Sequence, residues 1–552
     1  MKSNRCNSPN KALSLAEASS GRGLIRRLAD IFFGTMVSRV LGFAREVVIS
    51  AYFGTGWGMD AFVAAFTVPS LVRRILGEEI CERALIPPSK SRMERGDLAG
   101  GWKMASVIFN WLLLCLLTAM VLLYLVGPLL VRIIVPGLSS EAMSWAIRMT
   151  YVIMPFLVFI GIAAYVGMLL NFFKRTMVFA ASPAMLSLGV ILSVWLLRSK
   201  LGLYCLPVGF VLGAMLQTLV QLPFLFSHSM RTEQGFRFHL ALRYPREAGE
   251  HLRREASFVV IQSLFEKTIE VVDRILASLL VSGSMSSLWY AFRLREVPRA
   301  ALGMAISRAV VSDLNRWTAL GRFDLFREDI VRSLKINLYL IVPVTFMSVA
   351  LARPLVGMVF QRGAFDERST SLTTVALVCY LAGLLALSVY NLMKNAFGVL
   401  QMNSVLLRTS LWAWGLNVAL NILLVQTSLR HGGLALASSL SYTVQVIILL
   451  SLLQRELRIR GAPISWKPLG TEGLRSLIAG IAGGSASYGC RLVVEPAILA
   501  WAATPFWGFS MQVFLGGAAG LAVYCAVVLM FHPHLVARWK ERRRGRKAPG
   551  SG

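Results

Sequence analysis

WLLLCLLTAMVLLYLVGPLL, residues Trp111 to Leu130, is a run of twenty residues without a charged side chain. As a helix rising 1.5 Å per residue it reaches about 30 Å, the thickness of a bilayer's hydrocarbon core. A soluble surface helix keeps one polar face, and this segment has none. It reads as a membrane span, and Leu338 to Ala352 and Leu477 to Ala486 are of the same kind. Such runs recur along 552 residues that are 56% hydrophobic and 15% charged, where a soluble chain carries about 25% charged residues. The whole chain is expected to be membrane domain, all helical.

Apolar runs set against polar breaks place spans near 29–53, 59–86, 104–135, 143–171, 178–199, 203–228, 255–281, 286–311, 334–360, 372–399, 404–427, 432–454, 473–494 and 506–532, about fourteen in all. Loop charge gives an independent test, because short cytoplasmic loops retain Lys and Arg. Residues 229–254 hold Arg231, Arg237, Arg243, Arg246, Arg253 and Arg254, and the tail holds Arg538, Lys540, Arg542, Arg543, Arg544, Arg546 and Lys547. Loops 54–59 and 282–287 hold no Lys or Arg. With 87–103, 312–335 and 455–475 also basic, an even number of spans and two cytoplasmic termini are expected, in a multi-pass inner-membrane protein. Residues 1–27 are polar and basic, without the apolar segment of a cleaved signal peptide.

The net charge of +29 would suggest nucleic acid in a soluble protein. Here the basic residues gather in the short loops, without a basic patch interleaved with exposed aromatics, so no nucleic-acid partner is expected. Seven cysteines (Cys6, Cys81, Cys115, Cys205, Cys379, Cys490, Cys525) stand singly, without the spacing of a zinc site or a disulfide framework.

A repeat appears at a nearly constant offset. Arg45, Gly54 and Pro69 recur 229 residues later as Arg274, Gly283 and Pro298, followed by Gly137 and Gly363 at 226 and Asn171 and Asn395 at 224. Six spans per half is an even number, so the halves are parallel, related by an axis along the membrane normal. The expected organisation is a cytoplasmic segment 1–28, an N-lobe 29–228, a cytoplasmic linker 229–254, a C-lobe 255–454, two further helices in 455–532 and a basic tail 533–552. Transporters place substrate between such halves.

Ionisable residues within spans are costly, about 2.5–3.5 kcal/mol or more at the bilayer centre, and usually face a cavity or a partner. They concentrate in the first two helices of each repeat: Arg39, Arg45, Glu46, Asp60, Arg73 and Arg74 in one, and Glu266, Lys267, Glu270, Asp273, Arg274, Arg293, Arg295, Glu296 and Arg299 in the other. Arg39 and Glu46 share a helix face, as do Glu266, Glu270 and Asp273. An arginine-lined cavity suits a phosphate-bearing substrate, since guanidinium forks grip phosphate oxygens in pairs and stay charged when desolvated. The plainer reading, snorkelling to the interface, is preferred for Arg74, Arg295 and Arg299. For Arg45, Arg73 and Arg293 the cavity is preferred. Pro69 and Pro298 would bend their spans, as hinges or as packing kinks.

Other signals are discounted. Gly54-Thr55-Gly56-Trp57-Gly58 lacks the strand and helix of a dinucleotide loop, and His532-Pro533-His534 reads as interfacial. No nucleophile with a base, no phosphate-cradling loop and no paired carboxylates are found, so the chain is not expected to be an enzyme and needs no cofactor.

At these residues the sequence resembles the MurJ (MviN) family of lipid II flippases, within the superfamily of multidrug, oligosaccharidyl-lipid and polysaccharide exporters. The likeness is carried by Ser38-Arg39-Val40-Leu41-Gly42-Phe43-Ala44-Arg45, Phe53-Gly54, Asp60-Ala61-Phe62, Pro69 and Arg73-Arg74-Ile75. A second stretch is Val272-Asp273-Arg274-Ile275-Leu276-Ala277-Ser278, Ser282-Gly283-Ser284, Tyr290-Ala291, Arg293-Leu294 and Pro298. Further echoes are Arg362-Gly363-Ala364-Phe365, Asn417 with Asn421, and Gly433-Leu434-Ala435-Leu436-Ala437.

The resemblance implies fourteen helices in two lobes and a central cationic cavity. The implied activity is passage of lipid II, the polyprenyl diphosphate-linked muropeptide of wall synthesis, from the cytoplasmic to the outer leaflet by alternating access. Arg39, Arg45, Arg73 and Arg293 would bind the diphosphate, with Glu46, Asp60 and Glu296 as acidic partners or gate. Membrane lipids and cell-wall synthesis proteins are the other implied partners. Some family members bind sodium, and Asp273, Asn417 and Asn421 match those positions; Na+ or the membrane potential would then drive the cycle.

The sequence departs from the family at Phe292, where an Asp is usual, at Glu79, at Ser312 and through Gly398-Val399-Leu400-Gln401-Met402-Asn403. These leave three alternatives: an exporter of another lipid-linked oligosaccharide or of small drugs, a divergent paralogue with reduced transport, and a scaffold that has lost transport.

Overall fold

The structure is a computed structural model that describes residues 21–74, 81, 86–227, 237–241, 268–501 and 504–532. Residues 1–20, most of the 229–254 linker, Glu266, Lys267, Glu79 and the basic tail, where several of the sequence expectations fall, lie outside the described residues. Every regular element among the described residues is helical, and each expected span contains helix over its described part.

Among the described residues seven stretches are long and apolar enough to cross a membrane, and an eighth is the pair Glu367–Leu381 and Leu384–Val399, bent by 46°. This is fewer than the expected fourteen, for identifiable reasons. The stretch Thr176–Leu225 is a hairpin of Pro183–Leu201 and Cys205–Leu225 joined by a 3₁₀ turn at Gly202–Tyr204. A Cβ on Gly189 would lie 2.4 Å from Gly213 Cα, and one on Gly209 2.9 Å from Ser193 Cβ, which fixes an antiparallel register. The expected span 143–171 is broken at Met154, where Pro155 opens a second helix after Ser140–Ile153; a first-turn proline has no N–H to miss. Trp57–Val72 is apolar but only 16 residues long.

The chain divides into two compact units, Met1–Ile49 with Ala61–Lys267, and Ser50–Asp60 with Thr268–Gly552. In the first unit, Leu98–Ile134 packs against Pro155–Phe172 around Trp102, Leu112, Leu116, Leu157 and Tyr165, all at most 5% exposed. Tyr165 donates its hydroxyl to the Ala105 carbonyl at 2.8 Å, as a buried phenol must. Phe62, Phe66, Phe156 and Phe210 form an aromatic knot with ring centroids 4.7–6.0 Å apart.

The second unit takes the turn after the first helix into its own core. Gly54 has φ +54° and Gly363 φ +59°, a region closed to most other residues. Each also meets backbone: a Cβ on Gly54 would sit 2.2 Å from the Ala364 carbonyl oxygen, and one on Gly363 2.2 Å from that of Ala51. Ala364 N–H donates to the Ala51 carbonyl at 2.8 Å, and Thr55 Oγ1 donates to Ser369 Oγ at 2.7 Å.

The helix Phe323–Ala350 lies alongside Trp466–Trp501 with a constant offset of 138 residues. Ser476 Oγ donates to the Leu338 carbonyl at 2.9 Å, and Cβ atoms on Gly480 and Gly484 would meet Val342 (2.7 Å) and Phe346 (3.0 Å). Pro505–Phe531 closes on the same helix through Gly520, Gly516 and Tyr524.

Two features match the repeat. Gly283, the partner of Gly54, also has positive φ, +95°. Beyond each repeat proline the helix widens into π geometry, at Arg73 and Arg74 after Pro69 and at Arg299–Gly303 after Pro298, where Met304 N–H reaches the Arg299 carbonyl. A π turn accommodates the hydrogen bond that proline breaks, and such turns concentrate at functional sites.

Candidate functional site

In the first unit, Arg39 and Arg45 stand on Gly21–Phe53. Arg39 is exposed. Arg45 is half-buried: Nη2 lies 2.6 Å from Glu46 Oε1, and its guanidinium sits 5.4 Å from the centroid of the Phe210 ring. Glu46 is 3% exposed, and the arginine beside its carboxylate is its neighbour Arg45, whereas the sequence spacing set it on the face of Arg39. Phe210 belongs to the aromatic knot, and no spacing in the sequence could have pointed to it. Arg73 and Arg74 are half-buried on the π turn.

In the second unit, Asp60 sits in the first turn of Trp57–Val72 and turns to the next repeat helix. Its carboxylate accepts the N–H of Gly283 at 2.6 Å and of Ser286 at 2.8 Å. It therefore caps Ser284–Pro298 from another helix, satisfying donors that a helix N-terminus leaves orphaned. The expected acidic partner of a cavity arginine is thus a capping residue.

Arg293 lies over the Trp289 ring at 4.4 Å, and Arg274 lies 5.9 Å from the same ring. Trp289, one helical turn before Arg293, is 8% exposed. The i, i+4 spacing of Trp289 and Arg293 is the signal in the sequence for this pair. Glu296 does not serve Arg293 in this geometry: it takes Arg299 Nε with both oxygens at 2.8 Å and Arg295 Nη2 at 3.3 Å.

Arg295 corrects a sequence expectation. It does not snorkel but is 6% exposed, held 4.6 Å from the Phe292 ring and 4.6 Å from the Tyr380 ring. Phe292 thus gives Arg295 a cation–π face on its own helix, and Tyr380 gives it a second one. Pro298 leads into the π turn whose Arg299 holds Glu296.

Asp273, Asn417 and Asn421 come together as expected. Asn421 Nδ2 donates to Asp273 Oδ1 at 2.8 Å and to Asn417 Oδ1 at 3.0 Å, and Asn417 Nδ2 reaches Ser438 Oγ at 3.4 Å. Asn421 is fully buried, and its Oδ1 has no hydrogen-bond partner among the described residues.

Residues 49–489 match the family described as lipid II flippase MurJ. The chain belongs to the MurJ lipid II flippase family. Among its curated relatives, a probable lipid II flippase MurJ of Buchnera aphidicola is 25% identical over 432 residues, 77% of this chain and 83% of that protein. The probable lipid II flippase MurJ of Treponema pallidum is 27% identical over 443 residues, 77% of this chain and 81% of its own length. The lipid II flippase MurJ of Burkholderia cenocepacia is 27% identical over 385 residues, 68% of this chain and 73% of that one. A MurJ structure in an inward closed conformation shares the fold, with TM-score 0.74 at 20% identity over 92% of this chain and 99% of that chain. An inward-facing multidrug transporter of the MATE family shares it at TM-score 0.65 and 14% identity, covering 79% and 99%. The all-helical fold of the described residues is therefore the one that these MurJ and MATE structures share.

Proposed function

We propose that this chain is a lipid II flippase of the inner membrane, carrying the undecaprenyl diphosphate-linked precursor to the outer leaflet by alternating access, without chemistry on the substrate. The family match over residues 49–489 carries the reading. Arg39, Arg45, Arg73 and Arg293 bind the diphosphate, with both termini in the cytoplasm. Aromatic backing supports the role of Arg45 and Arg293, because a ring face orients a guanidinium while its N–H groups stay in the plane for phosphate oxygens. Pro69 and Pro298, each followed by a π turn, are the bends at which these helices flex. The test is lipid II translocation by the purified full chain in vesicles. Alanine at Arg45, Arg73 and Arg293 together abolishes transport; translocation at the wild-type rate in that variant refutes the assignment.

A small cation is the second element of the proposal. The oxygens of Asp273, Asn417, Asn421 and Ser438 suit a hard ion, and the orphaned Asn421 Oδ1 gains a partner if the amide turns over to face it. These four residues would hold Na+, whose binding supplies charge compensation for Asp273. Sodium then raises the unfolding temperature of the purified protein in a Na+-against-K+ titration, and Asp273→Asn removes that increment. Equal melting in both salts rules the ion out while leaving the flippase assignment standing.

A further inference from the structure

At the basic end of the Phe323–Ala350 and Trp466–Trp501 helices lies a cavity of about 490 Å³, lined by Arg327, Arg332 and Lys335 from one helix and Ser465 and Pro468 from the start of the other. The register already described accounts for it. With residues 338, 342 and 346 beside 476, 480 and 484, residues 327–335 face the first turns of the second helix. Both helices begin toward this end, and by the same offset the first turn of the second helix lies level with residues 328–331, among the basic side chains of the first; its positive dipole end adds to their charge.

The local charge is cationic. Three basic side chains line the cavity with one carboxylate, Glu328, which lies a loose 3.9 Å from Arg327. Arg332 reaches Asp329 at 3.5 Å, but that carboxylate also accepts Trp317 Nε1 at 2.8 Å. Lys335 makes no ion pair among the described residues. Immediately toward the membrane interior, both helices present apolar side chains outward: Ile336 and Leu340 on one, Leu474, Ile478 and Ile481 on the other, each at least 40% exposed. Trp466, 38% exposed, marks the interface level between the two zones.

We propose that this cavity is a binding site for the headgroup of an anionic glycerophospholipid of the cytoplasmic leaflet. The phosphodiester lies among Arg327, Arg332 and Lys335, and the acyl chains run along the exposed aliphatic stripe. A basic pocket at headgroup depth above an apolar track is the arrangement that distinguishes a lipid from a soluble phosphate. The site is separate from the residues assigned to lipid II, and its readout does not depend on transport.

The experiment is native mass spectrometry of the purified full chain after delipidation, titrated with phosphatidylglycerol or with phosphatidylethanolamine of the same chains. The wild-type protein retains phosphatidylglycerol in preference. Each basic residue near an anionic headgroup is worth about fivefold in affinity, so Arg332→Ala with Lys335→Ala weakens retention by roughly 25-fold. Lys335→Arg retains the preference, and Arg353→Ala, at the other end of the first helix and paired with Glu367, leaves it unchanged. Equal retention by the double variant, provided it elutes as a single folded species, overturns the proposal, as does equal retention of the two lipids by the wild type. Displacement of bound lipid by millimolar glycerol 3-phosphate identifies a soluble phosphate site instead and overturns it as well.

Discussion

Asp60→Ala separates an anchoring role from a gating role for the most deeply placed carboxylate of the second repeat helix. The side chain, 3% exposed, accepts two backbone N–H groups, of Gly283 and Ser286, at 2.6 and 2.8 Å. Hydrogen bonds to a charged acceptor contribute about 1.5–3 kcal/mol each, so losing both costs about 3–6 kcal/mol at the start of Ser284–Pro298. At 1.4 kcal/mol per factor of ten, the amides of Gly283 and Ser286 then exchange with solvent at least about 100-fold faster. Asp60→Asn keeps one acceptor oxygen and loses about half of that. The measurement is hydrogen–deuterium exchange of the detergent-solubilised chain, followed on peptides covering 280–290. If exchange there is unchanged in Asp60→Ala while transport is lost, the carboxylate acts on substrate or proton movement and the capping argument is wrong.

Three other outcomes follow from the same geometry. Arg45→Ala withdraws the guanidinium from buried Glu46 and lowers stability by about 3–5 kcal/mol; adding Glu46→Gln recovers stability in an SDS unfolding titration without recovering transport, and recovery of both would show Arg45 to be structural. Gly54→Ala and Gly363→Ala each force a Cβ to 2.2 Å from a carbonyl oxygen at positive φ, so neither variant accumulates as monodisperse protein in the membrane, whereas Gly56→Ala, with open space around it, does. The Ser369 N–H, 2.8 Å away, and the Ser369 hydroxyl hold the Asp366 carboxyl below its ordinary value of 3.8. A depressed folded-state pKa means that this cap's contribution is complete above the ordinary value and is lost as the pH falls through the lower folded one. The protection factor at the start of Glu367–Leu381, which is the intrinsic exchange rate divided by the observed one at each pH, therefore falls only in acid, and in Asp366→Asn it stays constant with pH.

The membrane character and the helical class were legible because apolar runs of bilayer length have few other uses; the boundaries were less so, since the span expected at 334–360 is the helix Phe323–Ala350 followed by Ala352–Phe360. The repeat was legible through glycine and proline, whose backbone demands survive when side chains drift: Gly54 and Gly283 share positive φ, and Pro69 and Pro298 share a widened turn. Side-chain partners were harder. Arg295 sits near a helix end in sequence, yet Tyr380, 85 positions away, supplies one of the two rings that bury it, and periodicity carries no record of such contacts. Asp60 reads as an acid among arginines, but its partners are backbone amides, which a sequence does not display. The span at 143–171 was joined across Met154 because hydropathy registers composition and is blind to a break that proline makes without polar residues.

The turn at Arg299–Gly303 holds one residue more than an α-helix needs for the same rise. Removing a residue from the middle of an ordinary helix swings everything beyond it by about 100°. Here the deletion of Ala301 would instead draw the wide turn into regular α geometry and leave the flanking stretches, Ser284–Pro298 and Met304–Ala309, presenting the sides they present now. The chain thus carries a spare unit of length directly beside its arginines, between two stretches of ordinary helix.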